Sequence, residues 1–218
     1  LFYRAWAQAQ PAVDLDRRDE ARFDAMVGAL AGLAPATARR RDTINDDTKR
    51  QHVAHLGRGV RTAEGLADTL AQLLGVPVRL ETYVGHWLPL RPEDCTRLGV
   101  GGAAAQLGFG AVAGDAVWDR QSKFRVHIGP LSAEQYRRFL PGGAAVRELR
   151  DWVRQYVGFD FVWDVQVALA ATDVSGCKLG TETPIGYAAW LGAPRERVAR
   201  EDLILAPEER GFRDAASN

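Results

Sequence analysis

Two cysteines in 218 residues are too few for a disulfide framework or a structural zinc site. Cys95 and Cys177 lie 82 residues apart, and reduced thiols are expected at both. No apolar run approaches the ~20 residues that a membrane-spanning helix needs. Neither sign of charge is in excess. Lys plus Arg and Asp plus Glu are both 28, which removes any charge argument for nucleic acid or an anionic membrane. No basic n-region, apolar h-region or small-residue cleavage site opens the chain, so no signal peptide is expected. It begins at Leu1 rather than Met, and so reads as a piece of a longer protein.

Catalytic vocabulary is equally sparse. The glycine run Gly99–Gly114 lacks the Gly-Lys-Ser/Thr ending that places a lysine on a phosphate, and its third glycine comes one position late for G-x-G-x-x-G. No Gly-x-Ser-x-Gly elbow occurs, and Cys95 has no histidine partner beyond His86, near in sequence only. His52 and His55 are spaced for a metal on a helix, with no evident third ligand beyond Asp46 or Asp47. Asp119 and Asp164 could be paired carboxylates, but salt bridges to Arg120, Lys123 or Arg125 explain them more simply. No cofactor or metal is expected, and the chain does not read as an enzyme. Six tryptophans favour an interaction protein, because Trp and Tyr at surfaces become interface hot spots.

What is present is a repetition. Gly65–Gly75 reads as a helix and Val78–Leu90 as a strand, followed by a loop with Leu98-Gly99 and Leu107-Gly108 that ends at Val117-Trp118. Glu148–Gly158, strand Phe159–Ala171 and a loop with Leu179-Gly180 and Ile185-Gly186, ending at Trp190-Leu191, repeat the order. An offset of 83 residues superposes Leu66 on Leu149, Asp68 on Asp151, Gln72 on Gln155, Gly75 on Gly158 and Val84 on Val167. Two such units point to two partner-binding surfaces rather than one active site.

The predicted class is α/β (α+β), with N-terminal helices followed by two helix–strand–loop units. The divisions are a helical region at 1–60, the first unit at 61–130, the second at 131–206 and a frayed tail from 207 to 218. Pattern predicts helices over Leu1–Gln10, Arg18–Leu33 and Ile44–Leu56, the last capped by Thr43 or Asn45. Strand Lys123–Ile128 alternates Phe124, Val126 and Ile128 with Lys123, Arg125 and His127, and Gly129-Pro130 is expected to end it. A helix capped by Ser132 and another ending at Val157 follow, and Leu203–Leu205 is expected as an edge strand.

The two loops, Arg91–Val117 and Thr172–Ala189, are long for a compact domain. They carry apolar anchors rather than the polar composition of disorder. Either these anchors dock into a partner or they fold back on their own sheet.

Val117–Gly143 (VWDRQSKFRVHIGPLSAEQYRRFLPGG) and Leu149–Leu169 (LRDWVRQYVGFDFVWDVQVAL) resemble the type VI secretion baseplate subunit family TssG, also called ImpH or VasB. LFYRAW at the start, Gly75–Leu90 and Ile185–Gly192 fit the same family, whose members are longer. The resemblance implies a structural, non-enzymatic protein of the bacterial cytoplasm that joins two copies of TssF in a wedge. It also implies two extended loops that each engage one TssK trimer, at the cytoplasmic face of the inner membrane. By position, the first loop offers Leu98, Leu107 and Phe109, and the second Leu179, Ile185 and Tyr187. Phe2, Trp6, Phe23 and Val27 on the N-terminal helices are the candidates for TssF. Competing readings are a self-assembling structural domain and an enzyme with a Gly-rich active-site loop.

Overall fold

The computed structural model of the chain describes residues 2, 3, 6, 22–97, 99, 101–174, 176, 186–188, 190 and 199–208. After the helical residues Phe2, Tyr3 and Trp6, the described residues form helices α1 (Arg22–Leu30), α2 (Asp46–Gln51), α3 (Val53–Leu56) and α4 (Ala63–Leu74). Strands β1 (Val78–Glu81), β2 (His86–Pro89), β3 (Ala116–Asp119) and β4 (Lys123–Leu131) follow. Helices α5 (Ala133–Arg138) and α6 (Ala144–Val157) then lead to β5 (Val162–Leu169) and β6 (Arg200–Leu205).

Helix α4 starts where Thr62 accepts a hydrogen bond from the Gly65 N–H, and ends at Gly75, which takes the left-handed conformation (φ 66°) that a side chain would resist. Ser132 and Gln135 form a reciprocal capping box on α5. Val146, Leu149 and Val153 line the buried face of α6, and Trp152 joins them at the centre of the core.

The main sheet has strand order β1-β4-β5-β6, with β4 and β5 parallel and both outer pairs antiparallel. Its register stacks apolar rows across four strands: Leu80, Val126, Val165 and Leu205 in one, Val78, Ile128, Val167 and Leu203 in the next. The helices cover this face, so α/β is the observed class. On the opposite face the same register brings Glu81, Arg125 and Asp164 into line.

Asp164 is almost fully buried there, between the Arg125 guanidinium at 2.6 and 2.8 Å and the Lys123 ammonium at 2.9 Å. Burial alone would raise its carboxyl pKa. The hydrogen bonds and charges of Arg125 and Lys123 outweigh that and hold it below the ordinary range. A lowered folded-state value means the carboxylate stabilises the fold above the unfolded-chain pKa of about 3.9, and that contribution fades as pH falls through the lower folded value. Asp164→Asn is expected to cost about 2 kcal/mol at pH 7, since hydrogen bonds to charged groups are worth about 1.5–3 kcal/mol. The gap between the urea midpoints of the two proteins should narrow as pH falls below about 4, and a constant gap would remove the charged pair as the cause.

The element order of helix, strand, insertion and antiparallel strand occurs twice, as α4-β1-insertion-β4 and α6-β5-insertion-β6. Leu66 and Leu149 are both buried, and Gly75 and Gly158 both follow their helices at positive φ. Val84 and Val167 are not equivalent. Val167 lies mid-strand, whereas Val84 lies in the connection after β1 and donates its N–H to the Lys123 carbonyl.

Other expectations need correction. Val78–Leu90 is two strands in two sheets, because Tyr83 turns the backbone to φ 61° and redirects the chain. The helix expected over Ile44–Leu56 breaks at His52, and Asn45 is the residue that caps its first part. Gly129-Pro130 does not end β4, which continues to Leu131 through an irregularity in its pairing with β5. Glu208, within the tail expected over 207–218, is salt-bridged to Arg154, and residues 209–218 lie outside the described residues. Asp119 makes no bridge to Arg120, Lys123 or Arg125. It accepts hydrogen bonds from the Gln121 and Ser122 N–H groups and the Ser122 hydroxyl, and the last of these leads in holding its carboxyl pKa low.

The region before α4 shares the same core. Thr43 donates to Asp151 through its N–H (2.9 Å) and hydroxyl (2.7 Å), and the His52 ring packs edge-on against Trp152 at 5.3 Å. Burial, and then the charge of His55, lower the pKa of His52. Lys49 is buried with its ammonium on Asp42 (2.7 Å) and Asp46 (3.5 Å), which offsets part of the cost of removing the charge from water.

Candidate functional site

Between β1 and β4 the chain leaves the main sheet as a separate two-stranded ribbon. Strands β2 and β3 pair antiparallel with His86 opposite Asp119, Trp87 opposite Trp118, Leu88 opposite Val117 and Pro89 opposite Ala116. The two tryptophan rings meet edge-to-face at 5.4 Å and stay 65% and 56% exposed. Such an aromatic cross-strand pair fixes ribbon register. Gly85 is required beneath it, because a Cβ there would come within 2.2 Å of the Trp118 ring.

The ribbon carries the first long insertion at its end. The Leu90 N–H bonds to the Asp115 carbonyl at 2.8 Å and closes the base. Thr96 then ties the loop across itself: its hydroxyl donates to the Ala104 carbonyl (2.7 Å) and accepts from the Val112 N–H (2.8 Å). A short 3-10 turn at Ala103–Ala105 and three N–H donors, from Phe109, Gly110 and Ala111, converging on the Gln106 carbonyl shape the far end. Gly108 supplies a positive φ of 79° in that turn, which glycine adopts without steric cost.

Leu107 and Phe109 project from this end at 97% and 89% exposure. They therefore do not fold back on the sheet. Leu98 lies outside the described residues. Thr96, which organises the loop, was not expected from the sequence, although a hydroxyl residue inside a glycine- and alanine-rich loop is the available signal. Thr96→Val is expected to leave global stability nearly unchanged while amide exchange of residues 99–112 speeds by at least about tenfold, the loss of roughly 1.4 kcal/mol of local closure. Unchanged exchange would assign the ordering to the glycine turns instead.

The second insertion connects β5 and β6. Leu179 and Ile185 lie outside the described residues, as does Cys177. Tyr187 is partly exposed, and its carbonyl accepts from the Tyr136 hydroxyl at 2.8 Å. Burial, aided by the Asp202 charge, pushes the Tyr136 pKa up to about 12, so the hydroxyl remains a donor at neutral pH. Gly176 and Trp190 bridge across the insertion, and the Trp190 indole donates to Asp202 at 3.2 Å.

At the N-terminal end, Phe2, Tyr3 and Trp6 are helical and exposed. On α1, Phe23, Met26 and Leu30 are exposed and Val27 is half-buried. Met26 extends the apolar row beyond Phe23, Val27 and Leu30, whose helical spacing is evident in the sequence. Among the described residues no group of three or more His, Cys, Asp or Glu is placed to hold a metal.

Comparison with known proteins gives a consistent picture. The family model described as "Type VI secretion, TssG" matches residues 1–192. A chain in the type VI secretion TssK-TssF-TssG baseplate subcomplex superposes with a TM-score of 0.70 at 17% identity, covering 91% of this chain and 84% of its own length. A chain in the type VI secretion baseplate complex gives 0.59 at 17% identity, with 93% and 57% covered. At such identities the likeness concerns the fold. No curated protein matches.

Proposed function

Because this chain belongs to the TssG family of type VI secretion proteins, we propose that it is a structural, non-enzymatic adaptor of the baseplate wedge, joining two copies of TssF to two TssK trimers. The solved subcomplex whose chain it resembles contains TssK, TssF and TssG, which supports TssF and TssK as the partners. Each insertion engages one trimer, the first through Leu98, Leu107 and Phe109 and the second through Leu179, Ile185 and Tyr187. The N-terminal helices, with Phe2, Trp6, Phe23 and Val27, pack against TssF. Among the described residues no helix is long and apolar enough to cross a membrane, and the adaptor works at the cytoplasmic face of the inner membrane through its partners.

The observation that carries this reading is the first insertion. It is tied by Thr96 and raised on a ribbon, and it presents two large apolar side chains that bury almost nothing in their own chain. Preorganisation of that kind lowers the ordering cost of binding. Two insertions on one platform also raise retention through effective concentration, without new contacts.

Light scattering after gel filtration, with TssK in excess, tests the stoichiometry. Two trimers per chain is the expected mass. One trimer would assign docking to a single insertion, and none would move the role of the insertions away from TssK. Concentration-dependent mass of the chain alone would favour self-assembly.

A further inference from the structure

Where the ribbon leaves the main sheet, a cavity of about 310 Å³ opens to solvent. Its floor is apolar, formed by Leu66 of α4, Leu80 of β1, Phe124 of β4 and Val157 of α6. Tyr83 and Phe161 stand at its mouth, both exposed. This lies at the root of the ribbon, apart from the Leu107 and Phe109 end.

Two observations bear on its occupant. The first is charge. Lys123 and Arg61 line the cavity, and none of its described lining residues is a carboxylate. Lys123 is neutralised by Asp164. Among the described residues Arg61 has no carboxylate partner: its guanidinium donates to the His55 and Leu56 carbonyls and lies 5.3 Å from the Tyr156 ring centre. Arg61 thus brings to the cavity lining a positive charge that no described carboxylate balances.

The second is backbone strain. Tyr83 occupies the left-handed region (φ 61°), where a bulky residue is disfavoured and glycine or asparagine is usual. Arg120 holds the turn by donating to the Tyr83 carbonyl at 3.2 Å. Keeping a strained tyrosine at a turn that glycine would satisfy points to a use for its ring, and strain of this kind clusters at ligand sites.

We propose that this cavity is a third docking site, separate from both insertions, and that its occupant is a short apolar segment of a partner chain carrying a carboxylate that meets Arg61. The apolar side chains fill the Leu66–Leu80–Phe124 floor, and the Tyr83 ring closes over them.

Fluorescence anisotropy tests this, using a labelled nonapeptide alternating leucine and aspartate against a twin with lysine in place of aspartate. The acidic peptide is expected to bind at least tenfold more tightly than its twin. Arg61→Gln should shrink that ratio towards one. Tyr83→Gly should weaken the acidic peptide at least tenfold without lowering the melting temperature, because the substitution relieves the strained backbone. The double variant Leu107→Asp/Phe109→Asp should bind the peptide normally, which separates this site from TssK docking. Equal binding of the twins, no binding of either, or loss of binding in the loop variant would overturn the proposal. A lower melting temperature of Tyr83→Gly with unchanged peptide binding would also do so, by making Tyr83 a structural residue.

Discussion

Replacing both Leu107 and Phe109 with aspartate is expected to remove one TssK trimer from the complex while the protein melts within about 2 °C of the parent. The two halves of this expectation have separate physical causes. At 97% and 89% exposure the side chains bury almost no area within the chain, so the fold loses nothing when they change. In a complex they would be the apolar centre of a small contact, where hot-spot side chains contribute 2 kcal/mol or more each. Losing both, and burying carboxylates in their place, amounts to at least about 4 kcal/mol, or roughly a thousandfold in affinity. Scattering mass reads the first effect and calorimetry the second. Retention of both trimers at micromolar concentration would refute the assignment of this loop. A large drop in melting temperature would show that the loop braces the fold.

Trp152→Ala carries the largest expected effect on stability, about 4–5 kcal/mol. A fully buried Trp truncated to Ala loses about 3–5 kcal/mol through lost burial and the cavity left behind. More is lost here because the indole N–H donates to the Thr69 hydroxyl at 3.0 Å, and that oxygen would be left with an unused acceptor in a dry interior. Thr69 already donates its own proton to the Leu66 carbonyl, so it cannot turn to compensate. The residue also carries the edge contact with His52, which couples α6 to the preceding helices. With total stabilities of about 5–15 kcal/mol, a loss of this size brings the chain near unfolding. The urea midpoint should fall by about 2 M with little change in slope. Trp152→Phe keeps most of the volume and should cost less than half as much. Equal losses for the two variants would locate the stabilisation in the hydrogen bond alone.

How far the sequence could be read is clear from particular elements. Helix α4 was legible because Thr62, the apolar spacing and Gly75 all agree, and β4 because Phe124, Val126 and Ile128 alternate with polar residues. The edge strand β6 was legible, though longer than Leu203–Leu205. The break within Val78–Leu90 was not. Apolar and aromatic residues continue through it, and the change of direction depends on the conformation of Tyr83 and on Trp87 finding Trp118 some thirty residues away. Lys49 could not be placed inside from pattern either, because its burial depends on Asp42 and Asp46 closing around it. For the first insertion, position and apolar content pointed to Leu107 and Phe109, while the hydroxyl staple of Thr96 is visible only once the loop is closed.

By itself the sequence determined the family, the α/β class and helices such as α4 and α6, since local periodicity, caps and glycine stops act within a few residues and leave a pattern in the chain. Tertiary structure alone decided that the first insertion rides on a separate ribbon, that Leu107 and Phe109 point to solvent, and that Thr69 and Trp152 meet although 83 residues separate them. Those outcomes rest on pairings between distant segments, whose energies appear only when the backbone brings the partners within contact.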